Sequence, residues 1–600
     1  MYRLFFRLAA VACIAPLVSA CGGGGSHAVP PAPAQAPLTP NAVTGVPQAA
    51  MRGVMVSVHL PLRNSEQLDA LIDRQGDKSS ADYHHFVTPE QFRGTYGPAA
   101  RDLQAAADAL RGMGFETRTT SQSVLAAAEQ STVERTFNVH FRQVQARGRG
   151  VQSAARTTLG VDRAPTLPQS LSRLGATLSF SSLVKHVNAK RVSQKPYAPD
   201  NRYSTTGPYW FTDLKQAYGY PSYQSANGAG RTIAIVISSD VLDSDNALYF
   251  GHEHLAPPAV ERRPVDGGPA AFDPNSPASD EASLDVQMSF GSAPGAHIML
   301  YGIPDLSDQH VLDAYQAVVD DNRADIVNSS FGLCELYYTA AYNGGEDFTS
   351  IIRAQHDVFR QGNAQGITFV ASSGDNGAYD CVDPSGSFLV KGVENPADDT
   401  ATTGVGGTNL ITKHVTGSLN SSYVRESAFF DPFDPAQGAA PNEMWGSGGG
   451  ISVLFPKPWY QHLVNTRAST RTVPDVSMHM GGCPQGAASC NPDDSSVITA
   501  IGGNFYLLIG TSASSPEFAG LLAVTEQTLG TRLGNANGYI YALSAVGGST
   551  VYRQNIPGNN GYPATPGYNY VLGNGTPHAA VFAAQPFAPR AGDPQTPTNP

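Results

Sequence analysis

The chain has 600 residues, a formal net charge of −12 and an isoelectric point near 5.6. This acidic balance excludes nucleic acid as a main partner, because phosphate binding needs clustered Lys and Arg side chains. Domains usually hold roughly 100–200 residues, so the length indicates two or more domains.

The N-terminus has the pattern of an export signal. Arg3 and Arg7 precede the apolar stretch 8–18, which is too short to span a membrane as a permanent helix. We predict a signal peptide of the lipoprotein type over residues 1–20. The expected location is therefore the bacterial outer membrane or, after processing, the extracellular space.

The end of this signal resembles the lipobox of bacterial lipoproteins. A lipid on Cys21 would be the chain's one contact with a membrane, and ordinary cleavage after Ala20 is the alternative. Residues 21–50 are rich in Gly, Pro and Ala, which is typical of a flexible tether.

Four further cysteines are expected to pair in an oxidising compartment. They permit three pairings. We favour a Cys483–Cys490 disulfide across a Gly/Pro/Ala-rich loop and, by elimination, a Cys334–Cys381 disulfide. A zinc site made of all four thiols is disfavoured, because no C-x-x-C pair occurs among them.

Residues 51–185 are predicted to form a small α+β unit. Apolar and polar residues alternate at 54–60 as in a strand, and helical periodicity follows. The predicted strands are 54–60, 115–119, 123–126 and 139–144, and the predicted helices are 65–75, 99–113 and 132–137. This order favours a split βαβ, ferredoxin-like layer. Residues 186–205 are basic and contain two prolines, which indicates a linker and cleavage zone.

Residues 206–587 alternate apolar strands with helical stretches. Strands buried on both faces of a parallel sheet have near-continuous apolar sequence, as found at 232–237, 297–301, 325–328 and 367–371. Predicted helices at 309–322 and 348–362 fall between them, which indicates a doubly wound α/β domain. Residues 588–600 have the composition of a disordered tail.

A candidate nucleophile stands where a helix is expected to start. Gly510, Thr511 and Ser512 precede an apolar helical stretch at 518–529, and Pro516 suits a first helical turn. Unpaired N–H groups at a helix start stabilise the negative charge that develops in acyl transfer, which suits Ser512 to that chemistry. A plain helix N-cap explains the same residues.

The base for this serine is predicted to be a carboxylate. No His-Gly-Thr segment of the subtilisin type occurs in the chain, but Glu281 and Asp285 stand four residues apart, on one face of a helix. Two such carboxylates, if buried, share one proton, which suits Glu281 to acid–base work with Asp285 orienting it. An exposed acidic first turn is the alternative.

A third carboxylate, Asp375, follows the strand predicted at 367–371. Open α/β sheets bind ligands at the carboxyl ends of their strands. A protonated Asp375 would donate a hydrogen bond to an oxyanion, which favours operation in acid. By itself the surrounding S-S-G-D-N-G run is equally typical of a turn.

Three motifs, in this order, resemble the sedolisin, or serine-carboxyl peptidase, family. They are E-x-x-L-D (281–285), S-S-G-D-x-G (372–377) and G-T-S-x-x-x-P (510–516). The resemblance implies a subtilisin-like fold and a serine-type peptidase active in acid on peptides or proteins. It implies an acyl-enzyme on Ser512, Glu281 as general base and acid, Asp285 orienting Glu281, and Asp375 in the oxyanion hole.

Residues 51–185 resemble the family's pro-kumamolisin-type activation domain. The resemblance implies that this prodomain is an intramolecular inhibitor until the linker 186–205 is cut in acid. Glycine-rich walls at 330–332 and 448–450 would hold substrate backbone in an extended form, since Gly lets backbone approach closely.

The chain departs from the family at its calcium site. The family uses two aspartates and backbone carbonyls there, and the corresponding positions are Asn555, Ile556, Thr565, Gly567 and Asn569. Neutral oxygens attract a hard divalent cation far less than carboxylates do. We therefore expect weak calcium binding or none, with the loop held by its own hydrogen bonds, and no other cofactor.

Three other functions compete with this interpretation. A non-catalytic cell-surface protein could keep the fold for binding, although all four catalytic positions hold the required residue types. Paired carboxylates of a glycoside hydrolase flank the substrate and would not stand one helical turn apart. A histidine-based serine hydrolase requires a remote His that reaches Ser512.

Overall fold

The computed structural model describes residues 51, 53–145, 157–180, 183–199, 207–414, 420–428, 430–432, 444–482 and 495–584. The predicted signal, the tether with Cys21, the Cys483–Cys490 pair, linker residues 200–205 and the C-terminal tail lie outside these ranges. Across the described ranges, no helix combines the length and apolar character that crossing a membrane requires.

The first folded unit, the activation unit, is a four-stranded antiparallel sheet with helices against it. In chain order its elements are β1 (Val54–His59), α1 (Ser65–Gly76), α2 (Pro89–Thr95), α3 (Ala100–Gly112), β2 (Glu116–Thr119), β3 (Ser123–Ala128), α4 (Gln130–Phe137), β4 (Phe141–Gln145), β5 (Thr157–Val161), α5 (Gln169–Ser172) and β6 (Thr177–Leu178). The strand order β2-β3-β1-β6 is that of a ferredoxin-like layer and confirms the predicted α+β fold.

One strand of this unit lies elsewhere than predicted. The strand expected at 139–144 is β4, but it pairs with β5 in a separate two-stranded ribbon. The fourth strand of the sheet is β6, which has only 2 residues. Two residues are too few to show a period of two, so the sequence pattern does not reveal this strand.

Both faces of β1 are covered. Val56 and Val58 point into the unit's own apolar core, together with Leu110. Ser57 points to the opposite face, because successive side chains of a strand alternate. Its buried hydroxyl lies 2.7 and 2.8 Å from the two carboxylate oxygens of Asp313, which belongs to the following domain. The activation unit therefore packs its sheet directly on that domain.

The domain that follows begins with two short strands and continues with alternating helices and strands. The elements up to residue 372 are β7 (His186–Val187), β8 (Lys190–Arg191), α6 (Phe211–Tyr218), β9 (Thr232–Ile237), α7 (Asp243–His252), β10 (Val260–Pro264), α8 (Pro277–Ser292), β11 (His297–Gly302), α9 (Asp308–Asp321), β12 (Ile326–Ser329), β13 (Phe331–Cys334), α10 (Thr349–Ala364) and β14 (Thr368–Ser372), with 3-10 turns at Glu335–Tyr338 and Ala340–Tyr342.

The rest of the domain adds sheet edges, small ribbons and one long helix. Its elements are β15 (Cys381–Val382), β16 (Leu389–Val390), β17 (Glu394–Asn395), β18 (Thr402–His414), β19 (Ser421–Ala428), β20 (Phe430–Pro432), β21 (Met444–Gly446), β22 (Gly450–Pro456), β23 (Thr470–Val473), β24 (Val476–His479), β25 (Val497–Ile501), β26 (Asn504–Ile509), α11 (Thr511–Leu529), α12 (Asn537–Gly547), β27 (Tyr552–Arg553), β28 (Thr576–Pro577) and α13 (Ala579–Ala583), with 3-10 turns at Trp459–Leu463 and Gly548–Thr550.

The main sheet has eight strands in the order β10-β11-β9-β12-β14-β18-β19, with β24 also paired to β18. All neighbours from β10 to β18 run parallel, as does β24, whereas β19 is antiparallel. The four apolar segments predicted as strands are β9, β11, β12 and β14. The doubly wound α/β prediction is confirmed.

Helices α8 and α11 approach each other closely. A Cβ added to Gly520 would lie 2.4 Å from Cβ of Ser292, so only glycine fits at this crossing. The helix expected from residue 518 begins earlier, at Thr511, and Ser512 therefore lies inside its first turn. The close crossing brings Ser512 and the helix of Glu281 to the same place.

The Cys334–Cys381 disulfide predicted by elimination is present, with Cα atoms 5.4 Å apart. It ties the end of β13 to β15. Both cysteines are buried in a small apolar cluster with Leu333 and Tyr338.

Candidate active site

The carboxylate pair lies on a helix that is buried along most of its length. Ser276 caps α8, and its hydroxyl accepts from the backbone N–H of Ala278 at 3.3 Å. Glu281 and Asp285 are both fully buried, one turn apart. An exposed acidic first turn is therefore not what this segment forms.

The carboxylate of Asp285 is held in place by two hydrogen-bond donors, one in β12 and one directly after that strand. Its Oδ1 accepts from Nδ2 of Asn328 at 2.9 Å and from the hydroxyl of Ser330 at 2.5 Å. Asn328 is fixed in turn, since its Oδ1 accepts from the hydroxyl of Ser515 at 2.7 Å. Oδ2 of Asp285 has no hydrogen-bond partner among the described residues. Asp285 is therefore held in one orientation with one oxygen left for a proton.

Two buried carboxylates so close affect each other's protonation. Burial raises the pKa of Glu281 well above its usual value, the charge of Asp285 raises it further, and the Ser512 hydroxyl lowers it. Burial also raises the pKa of Asp285, against the hydrogen bonds from Ser330 and Asn328. Since both groups cannot ionise together at low cost, the pair holds a proton over a wide pH range.

Ser512 is the second residue of α11, in its first turn, and is fully buried. Its side chain lies beside Glu281, whose two carboxylate oxygens have no partner of hydrogen-bond geometry among the described residues. The hydroxyl donates instead to the carbonyl oxygen of Ser330 at 3.3 Å. In this precursor the serine hydroxyl therefore bonds to Ser330, while it lies close enough to Glu281 to lower the pKa of that carboxyl.

Asp375 is placed by the turn after β14, as the sequence predicts, and Thr511 orients it. Oδ1 accepts from the backbone N–H of Thr511 at 2.7 Å and from its hydroxyl at 2.8 Å. Oδ2 is buried and has no partner within the described part of the chain. A proton on this carboxyl therefore belongs on Oδ2, which leaves Oδ2 as a donor.

The environment of Asp375 favours that proton. Burial raises its pKa well above the usual value, and the charge of Glu394 raises it further, whereas the hydrogen bonds from Thr511 and the charge of Lys190 lower it. Because burial is the largest cause, the carboxyl is neutral over a much wider pH range than an exposed aspartate.

Part of the predicted linker lies across this site. Strand β7 pairs antiparallel with β13, and β8 pairs antiparallel with β26, so the chain is hydrogen-bonded on both sides of Ser512. The first wall predicted to hold extended backbone, 330–332, makes the contacts with β7 and with the residue after it. The second, 448–450, packs instead on the turn before Asp375, where the N–H of Gly448 donates to the carbonyl oxygen of Gly374 at 2.7 Å.

Sequence reasoning missed two groups of site residues. One is Asn328 and Ser330, the pair that anchors Asp285, although Ser330 stands in the wall predicted at 330–332. The other is Glu394, which is fully buried beside the linker strand. An isolated glutamate after a short apolar run carries no sequence signal, so only the fold reveals this residue.

The residues at the expected calcium positions do not fit a cation. Nδ2 of Asn569 donates to the carbonyl oxygens of Thr565 at 2.8 Å and Gly567 at 3.2 Å, and Asn555 is exposed beside the buried Ile556. An N–H₂ group thus faces the oxygens that would bind calcium. The described residues contain no group of three or more His, Cys, Asp or Glu side chains suited to a metal.

Comparison with known proteins agrees with this geometry. Residues 43–175 match the family "Pro-kumamolisin, activation domain", and residues 267–537 match the "Subtilase family". Sedolisin from Pseudomonas sp. (strain 101) is 26% identical over 541 residues, which cover 88% of this chain and 84% of that protein. Kumamolisin from Bacillus sp. (strain MN-32) is 26% identical over 563 residues, which cover 90% of this chain and 92% of that protein.

A solved structure supports the same relationship. Pseudomonas sedolisin, a serine-carboxyl proteinase complexed with two molecules of pseudo-iodotyrostatin, aligns with a TM-score of 0.53 at 26% identity. The alignment covers 64% of this chain and 98% of that one.

The fold and the buried serine with its carboxylates define a subtilisin-like, serine-type peptidase that carries its own activation domain. Within that class, the chain is a serine-carboxyl peptidase similar to sedolisin and kumamolisin, and its Pro-kumamolisin activation domain makes it a proenzyme.

Proposed function

We propose that this protein is an exported peptidase that hydrolyses peptide bonds in acid through an acyl-enzyme on Ser512, after processing itself. One observation carries the proposal. Ser512, Glu281 and the free Oδ2 of Asp375 converge on one buried position, where a carbonyl group can be attacked and its oxygen stabilised.

Glu281 is proposed as the general base and acid. A carboxylate of ordinary pKa is a weak base, but the raised pKa of Glu281 brings its basicity closer to that of the serine hydroxyl. Asp285, held by Asn328 and Ser330, would keep Glu281 oriented and share its proton. Turning the Ser512 hydroxyl from Ser330 toward Glu281 would complete the proton path.

Two donors are proposed to stabilise the oxyanion of the tetrahedral intermediate. One is the backbone N–H of Ser512 at the start of α11, where the helix dipole also favours negative charge. The other is the protonated Oδ2 of Asp375. Each donor of this kind contributes roughly 2.7–4 kcal/mol to transition-state stabilisation.

The proposed pH dependence of activity follows from the protonation of Asp375 and of the Glu281–Asp285 pair. Activity needs the proton on Asp375, so it is lost as pH rises through the raised pKa of that group. Activity also needs one negative charge on the Glu281–Asp285 pair, so it is lost as pH falls and the second carboxyl of the pair is protonated. Because burial raises the pKa of both groups, this loss sets in above the pH at which exposed carboxyls titrate. The profile is therefore bell-shaped, with its alkaline limb set by Asp375.

The rest of the proposal concerns regulation, location and cofactors. We propose the activation unit as an intramolecular inhibitor, supported by the linker strands in the cleft. Export, with or without a lipid on Cys21, is supported by the N-terminal sequence and by the Cys334–Cys381 disulfide, which suits an oxidising compartment. We propose that calcium is not needed, since Asn569 bonds the loop that would hold it.

The test is incubation of the purified precursor between pH 3 and pH 8, followed by peptide hydrolysis. Wild-type protein should process itself and cleave peptides in acid, and Ser512→Ala and Glu281→Gln should do neither. The exposed residues Ser222 and Glu346 provide the control changes Ser222→Ala and Glu346→Gln, which should behave as wild type. Hydrolysis that persists in Ser512→Ala would refute the assignment of the nucleophile.

A further inference from the structure

The linker strand occupies the cleft in the manner of a bound peptide. On one side of Ser512, Val187 pairs with Phe331, and the N–H of Asn188 donates to the carbonyl oxygen of Ser330 at 3.1 Å. On the other side, Lys190 pairs with Ile509. A segment in the middle of one extended strand therefore faces the nucleophile.

The register of that strand places one carbonyl group in the oxyanion position. The backbone N–H of Ser512 donates to the carbonyl oxygen of Asn188 at 3.1 Å. A Cβ added to Gly510 would lie 2.2 Å from the same oxygen and 2.6 Å from Oδ2 of Asp375. The carbonyl oxygen of Asn188 thus lies near both the N–H of Ser512 and Oδ2 of Asp375, the two groups that would stabilise an oxyanion. In the described structure, no other linker carbonyl contacts the Ser512 N–H.

The Asn188 side chain enters a polar pocket of its own. It is only 1% exposed, and its Nδ2 donates to Oγ of Ser372 at 3.0 Å and to Oε2 of Glu394 at 2.9 Å. The other oxygen of Glu394 lies 3.0 Å from Nε2 of His186, two residues earlier in the same strand. Glu394 therefore contacts two side chains of the strand at once.

From this geometry we infer that the precursor cuts itself at the Asn188–Ala189 bond, and that Glu394 with Ser372 selects an amide side chain on the acyl side of the bond that is cut. The inference rests on the proposed function and specifies its first substrate. It also predicts the substrate class of the mature enzyme, which is peptides with Asn before the scissile bond and His two residues earlier.

The step balances within the chain. Oγ of Ser512 bonds to the carbonyl carbon of Asn188 while its proton passes to Glu281. The bond to the Ala189 nitrogen then breaks, its electron pair stays on that nitrogen, and Glu281 returns the proton to it. Water hydrolyses the resulting Asn188–Ser512 ester, which leaves a carboxyl group on Asn188, a free amine on Ala189 and the serine restored.

The experiment follows the first cut of the full-length precursor in acid, at early times, by intact mass and N-terminal sequencing. We expect a large fragment that begins at Ala189 and a complementary fragment that ends at Asn188, both absent in Ser512→Ala. Asn188→Leu should slow the first cut by roughly 10-fold or more, because Glu394 and Ser372 lose their partner while buried. Gln194→Leu makes the same type of change at an exposed position and should cut at the wild-type rate.

A second measurement does not depend on how the Asn188 variant folds. A synthetic peptide of residues 183–192 is given to activated wild-type enzyme, beside the same peptide with Asp in place of Asn188. The Asn peptide should be cut at the same bond, with a kcat/KM at least about 10-fold above that of the Asp peptide, whose carboxylate faces Glu394.

The outcomes separate the inference from the proposed function. Processing that depends on Ser512 but begins at another bond would overturn the inference and leave the peptidase intact. The same holds if activated enzyme cleaves other peptides while leaving the 183–192 peptide whole. Absence of any peptide hydrolysis, with the linker uncut, would overturn both.

Discussion

Replacing Asp375 with Asn exchanges one oxygen for an N–H₂ group at nearly constant shape. Both hydrogen bonds from Thr511 need an acceptor, so the amide oxygen must take the place of Oδ1. The N–H₂ group is then left at the oxyanion position, where it can donate at every pH. In the wild type this position holds a donor only while the carboxyl is protonated.

This difference makes the shape of the pH profile diagnostic. Wild-type self-cleavage should slow as pH rises through the raised pKa of Asp375, whereas Asp375→Asn should show no such fall at that pH. Asp375→Ala, which removes the donor, should slow the step by about 10²–10³, equivalent to roughly 2.7–4 kcal/mol.

The assay is the first-order rate at which the precursor is consumed, measured from pH 3 to pH 8, with thermal melts to confirm that each variant is folded. Self-cleavage reports the chemical step directly, because the strand is already in the cleft. If Asp375→Asn keeps the alkaline limb of the wild type, or Asp375→Ala loses less than about 10-fold, the oxyanion role of this residue is wrong.

Three further predictions concern stability. His59 is buried without a hydrogen-bond partner in the described structure, and burial lowers its pKa to about 3. Since the unfolded chain takes up a proton on this histidine below pH 6.5 and the folded chain does not, the activation unit should lose about 3 kcal/mol of unfolding free energy by pH 4. Melts should show a smaller acid loss in His59→Leu but not in the exposed control His140→Leu, and equal losses would contradict the argument. The double substitution of Cys334 and Cys381 by Ser should lower the unfolding free energy by about 4 kcal/mol, since the disulfide closes a loop with a sequence separation of 47. The variant should melt at the same temperature as wild-type protein whose disulfide has been reduced. A chelator should leave the wild-type Tm unchanged. Asn569→Asp should have a lower Tm, because it loses the two hydrogen bonds that the Asn569 amide donates, and added Ca²⁺ should restore the Tm of this variant. A wild-type Tm that rises with Ca²⁺ would refute this account.

Sequence patterns predicted the parts of the fold that rest on local periodicity. The apolar runs of β9 and β14 and the helical spacing of Glu281 and Asp285 depend on residues a few positions apart, which a sequence displays directly. The two-residue β6 and the early start of α11 at Thr511 depend on tertiary contacts, so the same patterns could not show them.

The residues of the candidate site likewise fall into those that local sequence predicts and those that only the fold reveals. Ser512, Glu281, Asp285 and Asp375 stand in short motifs whose residue types match a known chemistry, and the structure brings all four together. Asn188 is an ordinary polar residue in its local sequence. Its proposed role depends on a hydrogen bond to Glu394, which is 206 residues away in the chain. A contact between residues so far apart cannot be predicted from the local sequence.

The covalent continuity between the activation unit and the linker strand has a kinetic consequence. While the chain is intact, the strand is held near the cleft at an effective concentration that dilution cannot change, so the first cut should proceed at a rate independent of protein concentration. Afterwards the activation unit is held only by contacts such as that between Ser57 and Asp313, and its departure obeys mass action. Concentrated enzyme should therefore show a lag before full activity, and simple dilution should shorten it.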